Sequence, residues 1–375
     1  MKTRTVVAAT VTGLAVAGAI SASKRGAQRA TRDFYDWRGS VEEWPTVNGI
    51  RARCPAYVNH LAIFGSFHAA DPEAIERELP SDDVHPVRLP DARAIVFVGG
   101  LHYRDITNSA FAGAMAPPYG EVMVAPMVSR TAAPPIVPIA ALVLPLPASW
   151  RAGMFPLFVP VTHRWSRDGG WAMGVPKFVA DLDFDESVDT QEVRAAEGGR
   201  SILRLRVPLA GDVRVSHLPM LSYAASDGML FETKCPAFAY QRVGLGGRGA
   251  ELELGDHEVA DRIRDLGVST AALGTLGWVD GRLIIPARHR VGLARPYPGF
   301  RGGDRWFGRY TIRYPGTAAV DQYAYLSREG IERTLTVGGA RLIDDYVTID
   351  EDLGRPRSPD HDGTDAPRGE GVVIG

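Results

Sequence analysis

The chain has little cysteine, no surplus of charge and no long apolar run. Cys54 and Cys235 are far apart in sequence, and neither a disulfide nor a metal-ligand cluster follows from them. The 42 basic residues are matched by 44 acidic ones, so charge gives no general attraction to nucleic acid. The nine histidines form neither an HExxH pair nor a compact cluster with aspartate. No Gly-x-Ser-x-Gly segment is present for a serine hydrolase. GLGGRG, residues 244–249, lacks the lysine and hydroxyl of a phosphate loop and has no clear dinucleotide-binding context. A strained turn is its better reading. What is there is a 375-residue chain with 45% apolar residues, enough for one large or two modest domains with a core.

Two apolar segments need placing. Residues 6–20 follow Lys2 and Arg4 and precede Lys24, Arg25 and Arg29. The run is shorter than the ~20 residues of a spanning helix. A signal-peptide core, an uncleaved membrane anchor and an Ala-rich helix all remain open, and residues 1–35 are set apart from the catalytic fold. The charge placement permits membrane contact and leaves topology open; a membrane-associated or exported chain is expected over a cytoplasmic one. PPIVPIAALVLPLP, 134–147, is shorter still, and its prolines oppose both a spanning helix and a central strand.

The rest reads mainly as strands. YVNHLAIFGSF (57–67), ARAIVFVGGLHY (92–103) and YGEVMVAPMVS (119–129) are expected strands. FVADLDF, SILRLRVPL, MLFETKCPAFAYQRVGLGG and GRLIIPARHRVGL continue the series up to residue 293. DPEAIERELP, 71–80, predicts a short helix, capped by Asp71, with Pro72 in its first turn and Pro80 ending it. ELELGDHEVADRIRDLG, 251–267, begins extended and turns helical, with Val259, Ile263 and Leu266 at helical spacing. Residues 36–55 read as a connector. No repeat and no regular strand–helix alternation is visible, which favours an antiparallel barrel or α+β domain over a doubly wound sheet. The expected division is a catalytic domain over 36–293, an extension over 294–351 packed on it, and a polar, Gly- and Pro-rich disordered tail over 352–375.

One cation stands out in GWAMGVPKFVADLDFD, residues 170–185. Lys177 follows a Gly-x-Pro turn within a mostly apolar run. Its stem can lie on apolar surface with the ammonium in water. It can bind an anion as a fixed cation. Or it can act as a Schiff-base nucleophile, which needs a neutral amine, and burial in an apolar pocket favours that form.

GVPKF (174–178), PPYGEVMV (117–124), the stretch 218–246 and GTLGWVDGRLIIPA (274–287) together resemble the acetoacetate decarboxylase family in order and spacing. The resemblance runs over approximately residues 50–290. It implies a β-barrel or cone with few helices, a mainly β or α+β fold. It implies that Lys177 forms an imine with substrate and that Glu121 is the site carboxylate. Where well-known members carry a second lysine, this chain has Phe178, which can dry the pocket but supplies no Coulomb repulsion. The strand that carries a second glutamate in the family has no convincing carboxylate here, and Asp105 looks displaced. Arg53 is the approximate match to an N-terminal active-site arginine. His102 and Arg164 complete the expected substrate-binding set, each with a structural reading beside the functional one.

The implied chemistry is a lyase that decarboxylates a β-keto acid through a lysine imine. Aldol or dehydration chemistry through the same imine is the alternative, and non-catalytic binding of a small ketone or acid is a third. No cofactor and no metal is required. The expected partners are a small carbonyl or β-keto acid substrate and further copies of the chain, with membrane contact through the N-terminus and no nucleic acid.

Overall fold

In the computed structural model the described residues are 51–108, 118–131, 152–163, 166–167, 169–170 and 173–294, apart from 210, 217–218 and 227, together with short strand pieces at 42–45, 115–116, 349–350 and 355–356. The expectations for residues 1–35, for 134–147 and for nearly all of 294–375 fall outside them.

The strands in chain order are β1 (Glu42–Pro45), β2 (Arg51–Cys54), β3 (Ala56–Ala70), β4 (His85–Pro86), β5 (Ala94–Asn108), β6 (Met115–Ala116), β7 (Tyr119–Ser129), β8 (Gly153–Met154), β9 (Val159–Val161) and β10 (Lys177–Val179). They continue with β11 (Asp181–Glu186), β12 (Thr190–Glu197), β13 (Arg200–Pro208), β14 (Arg214–Ser216), β15 (Met220–Ser226), β16 (Met229–Cys235), β17 (Ala237–Leu245), β18 (Glu251–Leu254), β19 (Ala272–Ile285) and β20 (His289–Leu293). The fold is mainly β. A fourteen-stranded sheet has the main path β14-β17-β19-β3-β5-β7-β8-β15-β16-β20. No pairing joins β14 to β20 among the described residues, so this ladder is an open, cone-like sheet and not a closed barrel. β11-β12-β13-β18 form a second, antiparallel sheet of four strands.

The central strands β3, β5 and β7 are long and apolar because both faces are covered. In β7 every residue but Met123 is buried, a pattern expected where a sheet is packed on both sides. The smaller sheet covers one of those faces: Phe184 of β11 sits edge-on to Phe64 at 6.1 Å and stacks on His102 at 5.2 Å. Two helices close the margins. In α1 (Pro72–Glu78), Asp71 Oδ1 accepts from the Glu73 amide at 2.9 Å and Pro72 occupies the first turn. In α2 (Glu258–Asp265), His257 Nδ1 accepts from the Val259 amide at 3.2 Å, and Val259 and Ile263 face the core.

Several sequence expectations shift. FVADLDF is not one strand: β10 pairs with β9 in the large sheet, the Ala180 amide donates to the Val161 carbonyl at 2.9 Å, and β11 crosses into the small sheet. Residues 229–247 divide at Pro236, whose nitrogen has no hydrogen to donate to a ladder, into β16 and β17. GRLIIPARHRVGL divides likewise, at 286–288, into β19 and β20. The expected connector 36–55 contains β1 and β2, which pair antiparallel.

Candidate active site

β9 is the joint on which the site is built. Glu121 of β7 pairs with Val161 across an antiparallel contact. Lys177 of β10 pairs with Val159 across a parallel one. Two strands of opposite direction are thus fixed to the same three-residue strand. The end of β9 is clamped further by Thr162, whose amide donates to the Gly120 carbonyl at 3.1 Å and whose Oγ1 accepts from the Gly120 amide at 3.0 Å.

The Gly-x-Pro turn aims the lysine. The Val175 amide donates to the Gly170 carbonyl at 2.8 Å, and the Lys177 amide to the Val175 carbonyl at 2.8 Å. Gly174 has φ +80° and backs onto β15, where a Cβ would lie 2.6 Å from the Ala225 carbonyl oxygen. Only glycine takes that conformation in that space without strain. At Gly170 a Cβ would lie 2.4 Å from Lys177 Cδ, so the missing side chain is the groove that holds the lysine stem.

The side chain ends in a nearly closed polar group. Only 13% of the Lys177 side chain and 2% of the Glu121 side chain are exposed. The ammonium donates to Glu121 Oε1 and, at 3.1 Å, to Ser166 Oγ. Ser166 Oγ in turn donates to the same Glu121 Oε1 at 3.2 Å. Below them the rings of Tyr103 and Tyr119 stack, 4.5 Å apart and 4° from parallel, with Lys177 Nζ 5.7 Å from the Tyr119 centroid. Both phenols lie within electrostatic reach of the Glu121 carboxylate. Burial first, and the nearby Glu121 charge second, push both phenols well above the usual tyrosine range, so they stay protonated. The Glu121 carboxylate is therefore ringed by hydrogen-bonding groups in a site with little solvent. A buried amine beside a carboxylate that can take its proton is suited to nucleophilic attack on a carbonyl.

Lys177 and Glu121 are thus in direct contact. Phe178 is placed differently from expectation. Successive strand residues point to opposite faces, and Phe178 is completely buried in the core cluster behind Lys177. It supports β10 from beneath and does not line the lysine's face. His102 is likewise on the other side of the sheet. Tyr103 pairs with Tyr119 and Leu101 with Glu121, so these four share a face, while His102 and its partner Gly120 share the opposite one. There His102 Nδ1 lies 3.0 Å from Glu186 Oε1 of the small sheet. Arg164 lies outside the described residues, and of Arg53 only the backbone in β2 is described. Asp105 lies near the end of β5, paired with His60 of β3 and accepting from Asn59 Nδ2 at 3.3 Å.

Sequence reasoning missed Ser166, Tyr103 and Tyr119. The last carried a signal: it precedes Glu121 by one strand period, hence faces the same way. Among the described residues no group of three or more His, Cys, Asp or Glu side chains is placed to hold a metal ion. Both cysteines are buried and neither is in a disulfide, and burial pushes the Cys235 thiol up to about 12, which keeps it protonated.

The family model for acetoacetate decarboxylase matches residues 45–285, more than half of the chain and all of the strands that carry the site. The chain belongs to the acetoacetate decarboxylase family. Among solved structures it is similar to an acetoacetate decarboxylase from Legionella pneumophila, at 15% identity over 64% of this chain and 88% of that one, with a TM-score of 0.44. It is also similar to an acetoacetate decarboxylase-like enzyme from Sphingomonas wittichii, at 18% identity over 64% and 93% of the two chains, with a TM-score of 0.43. A third is the enduracididine biosynthesis enzyme MppR complexed with pyruvate, at 12% identity over 63% and 90%, with a TM-score of 0.47. No curated protein matched.

Proposed function

We propose that this chain is a Schiff-base-forming lyase that decarboxylates a β-keto acid through an imine on Lys177. The observation that carries the reading is the buried contact between Lys177 Nζ and Glu121 Oε1. Transfer of one proton from ammonium to carboxylate leaves a neutral amine, the form that attacks a ketone. Loss of water gives an iminium. When carbon dioxide leaves the α-carbon, next to the iminium carbon, the electrons of the broken bond move into the iminium and give an enamine. Protonation at carbon and hydrolysis then release the shortened ketone and the lysine. The protein's own nitrogen serves as the electron sink, so this route needs no organic cofactor.

The test is borohydride trapping against a panel of β-keto acids and simple ketones, with carbon dioxide release followed in parallel. The expected result is a reduced adduct that peptide mapping places on Lys177, together with carbon dioxide from at least one β-keto acid, and neither in Lys177→Arg. An adduct without carbon dioxide release, but with condensed or dehydrated products, would assign the same imine to aldolase or dehydratase chemistry. Turnover that persists in Lys177→Arg would reject the covalent route, and tight ketone binding with no adduct would make the chain a binding protein.

Two further parts of the reading concern context. The basic residues around the apolar run 6–20 support targeting to or across a membrane. Fractionation of the full chain and of a form starting at residue 36 tests this, and equal, wholly soluble distributions without processing would reject it. Assembly into a homo-oligomer is expected, and sedimentation as a monomer at micromolar concentration would refute it.

A further inference from the structure

We infer that Ser166 is a proton-relay residue that passes the proton of Glu121 to the departing oxygen of the substrate. The inference rests on the imine reading of Lys177. Ser166 is 3% exposed, and its Oγ is the third corner of a triangle with Lys177 Nζ at 3.1 Å and Glu121 Oε1 at 3.2 Å. A buried hydroxyl that accepts from the nucleophile and donates to the carboxylate can reverse its hydrogen bonds by one rotation about Cβ–Oγ.

The proton inventory of imine formation calls for such a group. Glu121 takes one proton from the ammonium. The neutral amine attacks the carbonyl carbon, the C–N bond forms, and the π electrons move to oxygen. Transfer of a proton from nitrogen to that oxygen gives a carbinolamine. To lose water, the carbinolamine oxygen must gain a second proton, the one now on Glu121. Glu121 contacts nitrogen, and once nitrogen carries the substrate carbon the leaving oxygen is displaced from the carboxyl group by one bond length and a tetrahedral turn. Ser166, in contact with both nitrogen and carboxyl, spans that gap. It gives its proton to the oxygen as it takes the proton of Glu121. The C–O bond breaks, water leaves, the nitrogen lone pair forms the iminium, and Glu121 returns to carboxylate.

The experiment follows adduct formation on Lys177 with a β-diketone, whose conjugated adduct is read by absorbance, in the whole chain and in Ser166→Ala, Ser166→Thr and Ser166→Cys. General acid–base transfer contributes on the order of 10²-fold or more. Ser166→Ala should therefore slow adduct formation by about 10²-fold, with Thr recovering most of the rate. The rate in mixtures of light and heavy water should fall on a bowed curve for wild type, from more than one proton in flight, and on a line for Ser166→Ala. Should the alanine variant not fold, the nearly isosteric cysteine carries the same comparison. An unchanged rate overturns the relay while leaving the imine intact. So does a slow variant that keeps the bowed curve, which marks a structural role. Failure of wild type to form any Lys177 adduct instead removes the imine reading, and the relay with it.

Discussion

Glu121 and His102 lie on paired strands yet face opposite sides of the large sheet. The register puts Leu101 across from Glu121 and His102 across from Gly120, and the two-residue period does the rest. One side holds Lys177, Ser166 and the two tyrosines. The other holds a clip between the sheets, in which Glu186 of β11 receives His102 at 3.0 Å and also Arg104. Burial, and then the Arg104 charge, lower the His102 pKa, so the ring is neutral at pH 7 and acts as a hydrogen-bonding group.

Replacing His102 should therefore separate stability from chemistry. His102→Ala is expected to leave the rate of Lys177 adduct formation within about twofold of wild type. It should lower unfolding free energy by about 1–2 kcal/mol, for one lost hydrogen bond to a charged group and a lost ring contact. Denaturant unfolding and adduct kinetics on the same preparation check both. A loss of adduct rate at unchanged stability would place His102 in the catalytic site after all.

Glu121→Gln should do the reverse and more. It removes the proton acceptor, which is expected to slow adduct formation by about 10²-fold. It also leaves the ammonium buried without its counter-charge, which costs about 3–5 kcal/mol when one partner of a buried pair is removed. The double change Glu121→Gln with Lys177→Met should recover part of that stability while remaining inactive. If the single variant unfolds like wild type, the pair is more hydrated than its burial indicates.

Phe178 should behave as a core residue. It is fully buried on the face away from the lysine, so Phe178→Ala is expected to destabilise by about 3–5 kcal/mol through the cavity it leaves. Phe178→Leu, closer in volume, should cost much less and retain most of the adduct rate. A Leu variant of wild-type stability that nonetheless changes ketone selectivity would show that the ring reaches substrate.

A fully buried histidine, His68, contributes to the acid limit of the fold. Its Nε2 meets Ser66 Oγ at 2.7 Å and its Nδ1 meets the Ser269 carbonyl at 2.7 Å. Desolvation lowers its pKa from 6.5 to about 4. The unfolded chain therefore binds a proton at higher pH than the folded one. The stability from neutral His68 is complete above about pH 6.5 and is lost as pH falls toward 4, up to ~3 kcal/mol in all. Unfolding free energies of wild type and His68→Gln should show a shallower pH slope between 6.5 and 4 in the variant, and parallel slopes would refute the assignment.

How much of this was legible beforehand differs residue by residue. The central strands were, because apolar runs of that length with β-branched residues have few other solutions, and the capped helix after Asp71 was too. Lys177 and Glu121 were singled out through short segments whose order matched a family. The opposite facing of Phe178 follows from strand alternation alone once β10 is known to begin at Lys177. His102 could not be placed without the register between β5 and β7, since a slip of one residue would exchange its face with that of Leu101. Ser166 had no signal: it sits 11 residues before Lys177 in a connection, where no period relates it to the nucleophile.

That connection follows from the parallel pairing of β9 with β10. Parallel neighbours cannot be joined by a tight turn, so the chain must leave the end of β9 and travel back before β10 begins. The return path is residues 162–176, and it carries both the relay serine and the glycine that makes room for the lysine stem. Lys177 and Glu121 are registered to each other by the ladder through β9; Ser166 is not. Lengthening or re-threading the path would leave amine and acid in contact while exchanging their third companion. On the proposed imine route, a sheet wired this way keeps one covalent intermediate and changes what becomes of it through a single loop.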